Sequence, residues 1–171
     1  MADKWFISDT HFFHDNIIKY CNRPFVDAEE MNEVLVQRWN ERVKPGDKVY
    51  HLGDVGLGFK GDESKIAGLL ARLNGQKRLI VGNHDNLKSP TLHRHFHKIE
   101  LWKGFKDEGF TCVHIPLGLD HLRDGVVCVH GHIHDKLMDK PGYINVCVEH
   151  TDYAPLHMDE LISRVKKMQR S

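Results

Sequence analysis

Apolar residues in this chain fall into short continuous runs and longer spaced stripes, and through the first half the two alternate. Runs at residues 5–8, 47–52 and 77–81 are rich in β-branched and aromatic side chains and predict strands. Between them stand stripes at helical spacing. Met31, Val34, Leu35 and Trp39 mark a helix that begins at Asp27 and stops at Lys44-Pro45-Gly46. Asp27 and Glu30 have the spacing of a capping box at its start. Ile66, Leu69, Leu70 and Leu73 mark a second helix over residues 62–73, closed by Asn74-Gly75. A short helix is expected at 17–20, before the break at Asn22-Arg23-Pro24. Residues 89–97 are polar and histidine-rich, a short helix or a loop. Runs at 99–102, 110–113, 125–130 and 143–148 predict further strands, and Leu161, Ile162 and Val165 a closing helix at 157–168. Strands alternating with helices, then a strand-rich second half, predict an α/β layered fold. With no internal repeat and no linker composition, residues 1–171 are expected to form a single domain.

Five of the strand-like runs share an ending. The first stops at Asp9-Thr10-His11, the second at Gly53-Asp54, the third at Gly82-Asn83-His84-Asp85. Two later runs stop at His114 and at Gly131-His132-Ile133-His134. Any one of these is ordinary turn vocabulary. In α/β sheets, however, ligands bind beyond the carboxyl ends of strands, so five such ends can converge on one place. Asp9 and His11 are two residues apart, as are His132 and His134; in extended chain each pair presents both side chains on one face. The set holds carboxylates, imidazoles and one amide but no thiolate, which suits Mn, Fe, Ni or Zn. Seven candidates (Asp9, His11, Asp54, Asn83, His114, His132 and His134) are too many for one ion with open positions. They are the right number for two ions sharing a carboxylate. Two ions about 3.5–4 Å apart suit in-line displacement at phosphorus.

Composition sharpens this picture in a few places. Histidine is in excess, 14 of 171 residues, and imidazole is the commonest metal ligand. Lys plus Arg equals Asp plus Glu at 24 each, which argues against a strong nucleic-acid footprint, since that needs many phosphates neutralised. Cys21, Cys112, Cys128 and Cys147 form no Cys-x-x-Cys pair, and the last three, set in apolar strand-like runs, read as small core residues of a reduced protein. No apolar run approaches the roughly 20 residues of a membrane span, and residues 1–5 show no leader pattern. A soluble cytoplasmic protein is expected.

Taken together, Asp9-x-His11, Gly53-Asp54, Gly82-Asn83-His84-Asp85, His114 and Gly131-His132-x-His134 resemble the five ordered blocks of the calcineurin-like metallophosphoesterase family. More specifically, the chain is similar to its small stand-alone bacterial and phage members, whose first block continues much like Phe12-Phe13-His14-Asp15-Asn16-Ile17-Ile18. The resemblance implies a sandwich of two mixed β-sheets flanked by helices. It implies that Asp9, His11 and His134 hold one divalent metal ion, and Asn83, His114 and His132 a second, with Asp54 bridging. Manganese is the first choice, and Ni, Fe or Zn the others. It makes His84 the residue that steadies the phosphate and protonates the leaving oxygen, with Asp85 as the partner behind it. The expected activity is phosphodiester hydrolysis on a small nucleotide or similar ester. A nuclease or phosphomonoesterase of the same fold is the alternative, and a non-catalytic scaffold the alternative of another class.

Other polar residues leave two readings open. His14 and Asn16 either face the substrate or cap the helix at Ile17. Arg23 either grips a phosphate oxygen bidentately or lies on the surface. His93, His95 and His97 belong to no ligand block and are read as solvated. His51 is expected to be a satisfied strand histidine, and His130 to pack behind the ligands.

Overall fold

The computed structural model describes residues 2–169. The chain runs β1 (Lys4–Ile7), α1 (Asp15–Tyr20), α2 (Ala28–Arg42), β2 (Lys48–His51), α3 (Ser64–Arg72), β3 (Gln76–Ile80), α4 (Pro90–His95), β4 (Lys98–Glu100), β5 (Trp102–Phe105), β6 (Phe110–Val113), β7 (Val127–His130), β8 (Tyr143–Asn145), β9 (Leu156–His157) and α5 (Met158–Met168). The first sheet has the order β4-β3-β2-β1-β9, all parallel except β9. The second has the order β5-β6-β7-β8, parallel except for β5 against β6. The result is two mixed sheets flanked by helices.

Side-chain alternation divides the core. Ile7, Val49 and Leu79 face Met31, Leu35, Trp39, Ile66 and Leu70 of the helical layer. Phe6, Tyr50 and Ile80, their neighbours in sequence, face Phe105, Phe110, Cys112 and Val129 of the second sheet. Leu161 and Val165 of α5 join this second cluster. Asp27 caps α2, its side chain accepting the Glu30 amide at 2.8 Å. No helix is long and apolar enough to cross a membrane, among the described residues.

Two expectations are corrected here, and one strand was not expected at all. The run at 99–102 is not one strand: β4 belongs to the first sheet and β5 to the second. The chain changes sheets at Leu101, and an apolar run carries no mark of such a corner. The run at 143–148 is a strand only through Asn145; Val146 to Val148 stay buried because they cross to β1, where Ser8 pairs with Cys147. β9, two residues long and antiparallel to β1, was below the reach of any periodicity.

Asp47 ties the start of β1 to that of β2. Its carboxylate accepts the Asp3 amide (3.1 Å), the Trp5 indole N–H (3.0 Å) and the Lys44 amide (2.9 Å). Burial works against its charge, but these donors hold its pKa below the ordinary 3.8. A depressed carboxylate contributes stability above its unfolded pKa and loses it as pH falls through the folded value. Asp47→Asn is therefore expected to lower stability by about 2 kcal/mol at pH 7. The gap between variant and wild type should close below pH 3.8 in urea melts.

Candidate metal centre

The strands β1, β2, β3, β6 and β7 deliver their carboxyl ends to one place. After β1 and β2 the chain keeps pairing through the turns: Asp9 N donates to Gly53 O (3.0 Å) and His11 N to Asp54 O (3.1 Å). Asp9, His11, Asp54, His132 and His134 all have positive φ, between 49° and 69°. Non-glycine residues avoid this region, and such strain persists where the surroundings over-determine it. The Asp9/His11 and His132/His134 pairs thus converge through left-handed turns, not on one face of an extended strand as their spacing alone predicts. Glycines allow the close approach. A Cβ at Gly131 would collide with Ser8 Oγ and Asp9 Oδ2, and one at Gly82 with the Asp54 carboxylate.

Of the groups the donor atoms form among the described residues, two share Asp54. Asp9, His11 and Asp54 make one and Asp54, His114 and His132 the other, each with ligand atoms within 4.8 Å of one another. His11 Nε2 lies 3.7 Å from Asp9 Oδ1 and 3.6 Å from Asp54 Oδ2. His134 Nε2 lies 3.9 Å from Asp9 Oδ1, and His114 Nε2 lies 3.5 Å from Asp54 Oδ2. Most of these separations exceed hydrogen-bond length. All lie within the roughly 4.2 Å that two donors can span when each is about 2.1 Å from a common ion. Asn83 Oδ1 completes the second group, 2.9 Å from His114 Nε2.

Hydrogen bonding shows which atoms are kept for an ion. Asp9 Oδ2 is held by Ser8 Oγ (2.5 Å), the His132 amide (2.9 Å) and Cys147 Sγ (3.2 Å). Asp9 Oδ1 and His11 Nε2 are buried with no hydrogen-bond partner. A buried acceptor left unpaired is costly, and a cation between these atoms would satisfy both. The residues present therefore fit a pair of divalent ions.

The local charges are consistent with that. Burial opposes ionisation of Asp9, but His11, His114, Ser8 and the His132 amide hold its carboxyl well below the usual range. Asp54 is likewise lowered against its burial, by His114 and the His84 amide. Burial pushes His114 down and the two aspartates more than reverse it. His134 behaves in the same way toward Glu149 and Asp9, whereas burial keeps His132 low.

His84 is exposed at the rim, its ring centroid 5.9 Å from that of His11. Its amide donates to Asp54 Oδ1 at 2.9 Å. Asp85 does not stand behind His84. Its Oδ2 accepts the Gly82 (2.8 Å) and Asp54 (3.0 Å) amides and its Oδ1 the Val55 amide (3.0 Å). It locks the loop of Asp54 to the loop of Asn83, because two backbone turns with unpaired amides meet there.

Arg23 is neither at a substrate position nor on the surface. Its guanidinium is buried, 2.7 Å from Glu149 and donating to the Asp9 (2.8 Å) and Thr10 (3.1 Å) carbonyls. Its donors are taken by the turn that carries Asp9, by Glu149 and by the Met31 sulfur. His14 lies 3.3 Å from His11 through the Nδ1 atoms and caps nothing by its side chain. Asn16 is exposed in the first turn of α1. His93 and His95 sit on α4, and none of the three histidines at 93–97 joins a possible metal group among the described residues. His51 is satisfied as expected: it accepts the Gly53 amide (3.2 Å) and bonds Thr10 Oγ1 (2.9 Å), and burial pushes its pKa down to about 3. His130 is fully buried at the end of β7, its Nδ1 2.8 Å from Gly131 O.

Sequence reasoning missed Ser8, Cys147 and Glu149. Glu149 Oε1 lies 3.6 Å from His134 Nδ1, beyond hydrogen-bond length, so it acts on the far nitrogen of a candidate ligand by charge alone. His150 Nε2 and Asn145 Nδ2 hold the His134 carbonyl at 2.8 and 2.9 Å. No spacing links residues 145–150 to the five blocks; only the crossing of β8 toward β1 brings them in.

Two mixed sheets with aspartate, histidine and asparagine gathered at their strand ends define a metal-dependent phosphoester hydrolase. The chain belongs to the calcineurin-like phosphoesterase family, whose model matches residues 4–167. It is 39% identical to an uncharacterised protein of Methanocaldococcus jannaschii, over 98% of this chain and 93% of that one. It is 30% identical to the gene 66 protein of Mycobacterium phage L5, over 81% and 80% of the two chains. Among solved structures, a protein of unknown function from Aquifex aeolicus superposes with a TM-score of 0.75 at 27% identity, covering 95% of this chain and 99% of that one. Pseudomonas putida nuclease MPE shares the fold, with a TM-score of 0.50 at 18% identity over 77% of this chain and 61% of that one.

Proposed function

We propose that the protein is a binuclear-metal phosphodiesterase acting on a nucleotide or similar small ester. The observation that carries this reading is Asp54, shared by both ligand groups beside the unpartnered Asp9 Oδ1 and His11 Nε2. Asp9, His11 and His134 would hold the first ion, Asn83, His114 and His132 the second, and Asp54 would touch both. Manganese is the first choice, since the donors are oxygen and imidazole without thiolate. When bound, two such ions supply Lewis acidity and an acidified water. Asn83 contributes a neutral oxygen, so the centre keeps enough positive charge to attract a phosphate. Exposed at the rim, His84 donates the proton that the leaving oxygen needs. His14, beside His11, is a candidate substrate contact. Buried, unpaired thiols at Cys112, Cys128 and Cys147 fit a cytoplasmic setting.

Hydrolysis of bis(p-nitrophenyl) phosphate tests the reading. EDTA-treated protein is expected to be inactive and Mn²⁺ to restore turnover. Inert preparations with Mn²⁺, Ni²⁺ and Zn²⁺, on mono- and diesters alike, would overturn it. The fold likeness to a nuclease makes single-stranded DNA a second substrate to include.

A further inference from the structure

A cavity of about 770 Å³ opens beside the cluster, with Asn83 and His114 in its wall. That volume suits a ligand of nucleotide size. Its floor is the outer face of the second sheet. Trp102 pairs with Val113 and Gly104 with Thr111, so these positions share one face. Phe105, Phe110 and Cys112 point the other way, into the core. Gly104 keeps the floor low, and the Trp102 indole lies against it: a Cβ at Gly104 would stand 3.4 Å from Trp102 Cζ3. Trp102 is nonetheless 62% exposed, a large aromatic surface left open to the cavity.

The facing wall comes from the chain that follows β6, through Ile115, Leu117 and Leu122. Ile115 is next to His114, so one strand end sets both a candidate ligand and the wall. Exposed Lys106 and Arg123 add two cations to the lining. An open aromatic platform beside basic side chains is how proteins hold unpaired bases of single strands. An acyl chain could lie on the ring as on any apolar surface but would leave the cations unused.

We propose that this cavity is the nucleoside subsite of the substrate, with the base stacked on Trp102 and the phosphate at the Asn83–His114 end. The inference rests on the phosphodiesterase reading and names its substrate class as nucleotide esters.

Calorimetric titration of the Mn²⁺-loaded protein with dTMP, hexyl phosphate and inorganic phosphate tests it without turnover. Wild type is expected to bind dTMP at least about tenfold more tightly than phosphate or hexyl phosphate. Trp102→Ala should lose about tenfold of that preference and Trp102→Phe should retain most of it. In hydrolysis, Trp102→Ala should narrow the kcat/KM ratio of thymidine 5′-p-nitrophenyl phosphate over methyl p-nitrophenyl phosphate, chiefly through KM. Equal binding of the three ligands by wild type, or a preference that Trp102→Ala leaves intact, overturns the subsite. So does hexyl phosphate matching dTMP, or a wild-type dimer that Trp102→Ala dissolves. Base-dependent binding without hydrolysis would sink the phosphodiesterase reading and leave the subsite standing.

Discussion

His84→Ala is expected to lower kcat on an aryl phosphodiester while the protein keeps its metal. The imidazole is exposed at the rim and belongs to neither group of donor atoms, so removing it takes no side-chain contact from Asp54. The amide that bonds Asp54 Oδ1 survives the substitution. Loss of a positioned general acid costs about 10²–10⁴-fold. The effect should shrink as the leaving group becomes a better one, because a p-nitrophenolate needs a proton less than an alkoxide does. Steady-state kinetics on p-nitrophenyl and alkyl esters, with metal content measured on the same preparations, checks both halves. A variant that loses its metal would place His84 among the ligands instead.

Arg23→Ala is expected to be the most damaging substitution for stability. The Arg23 side chain is fully buried against Glu149, and the same guanidinium holds the Asp9 and Thr10 carbonyls. Removing one partner of a buried pair strands the other charge, at about 3–5 kcal/mol. For a chain of this length that is on the order of 10 °C in Tm. Arg23→Met with Glu149→Gln should cost clearly less than Arg23→Ala alone, since no charge is then left buried. Thermal melts of wild type and the two variants decide it, and a double variant as unstable as Arg23→Ala would contradict a stranded charge.

The candidate centre was legible in the sequence because its polar residues come in blocks, each directly behind an apolar run. Asp9 and His11, Asp54, Asn83 and His84, and His132 and His134 announce themselves in that way, and the structure brings them to one cluster. What was not legible depends on distance or on handedness. Arg23 and Glu149 are 126 residues apart and meet only because β8 runs on toward β1. Asp85 looked like a partner for its neighbour, yet backbone amides 30 and 31 residues away take both its oxygens. Positive φ at Asp9 and His132 reverses the simple argument from alternation, since a pleat was assumed where the chain curls. The corner at Leu101 was hidden because Ile99, Leu101 and Trp102 read as one run. Ile99 packs on the helical core while Leu101 and Trp102 stand exposed.

Metal content ties these threads to one number. Protein stripped with EDTA, incubated with Mn²⁺, desalted and analysed by inductively coupled plasma mass spectrometry should carry two ions per chain. Asp54 is the residue that belongs to both donor groups, so Asp54→Ala should carry fewer than one. A wild type that holds less than one ion per chain, or an Asp54→Ala variant that still holds two, would contradict a binuclear centre built on Asp54.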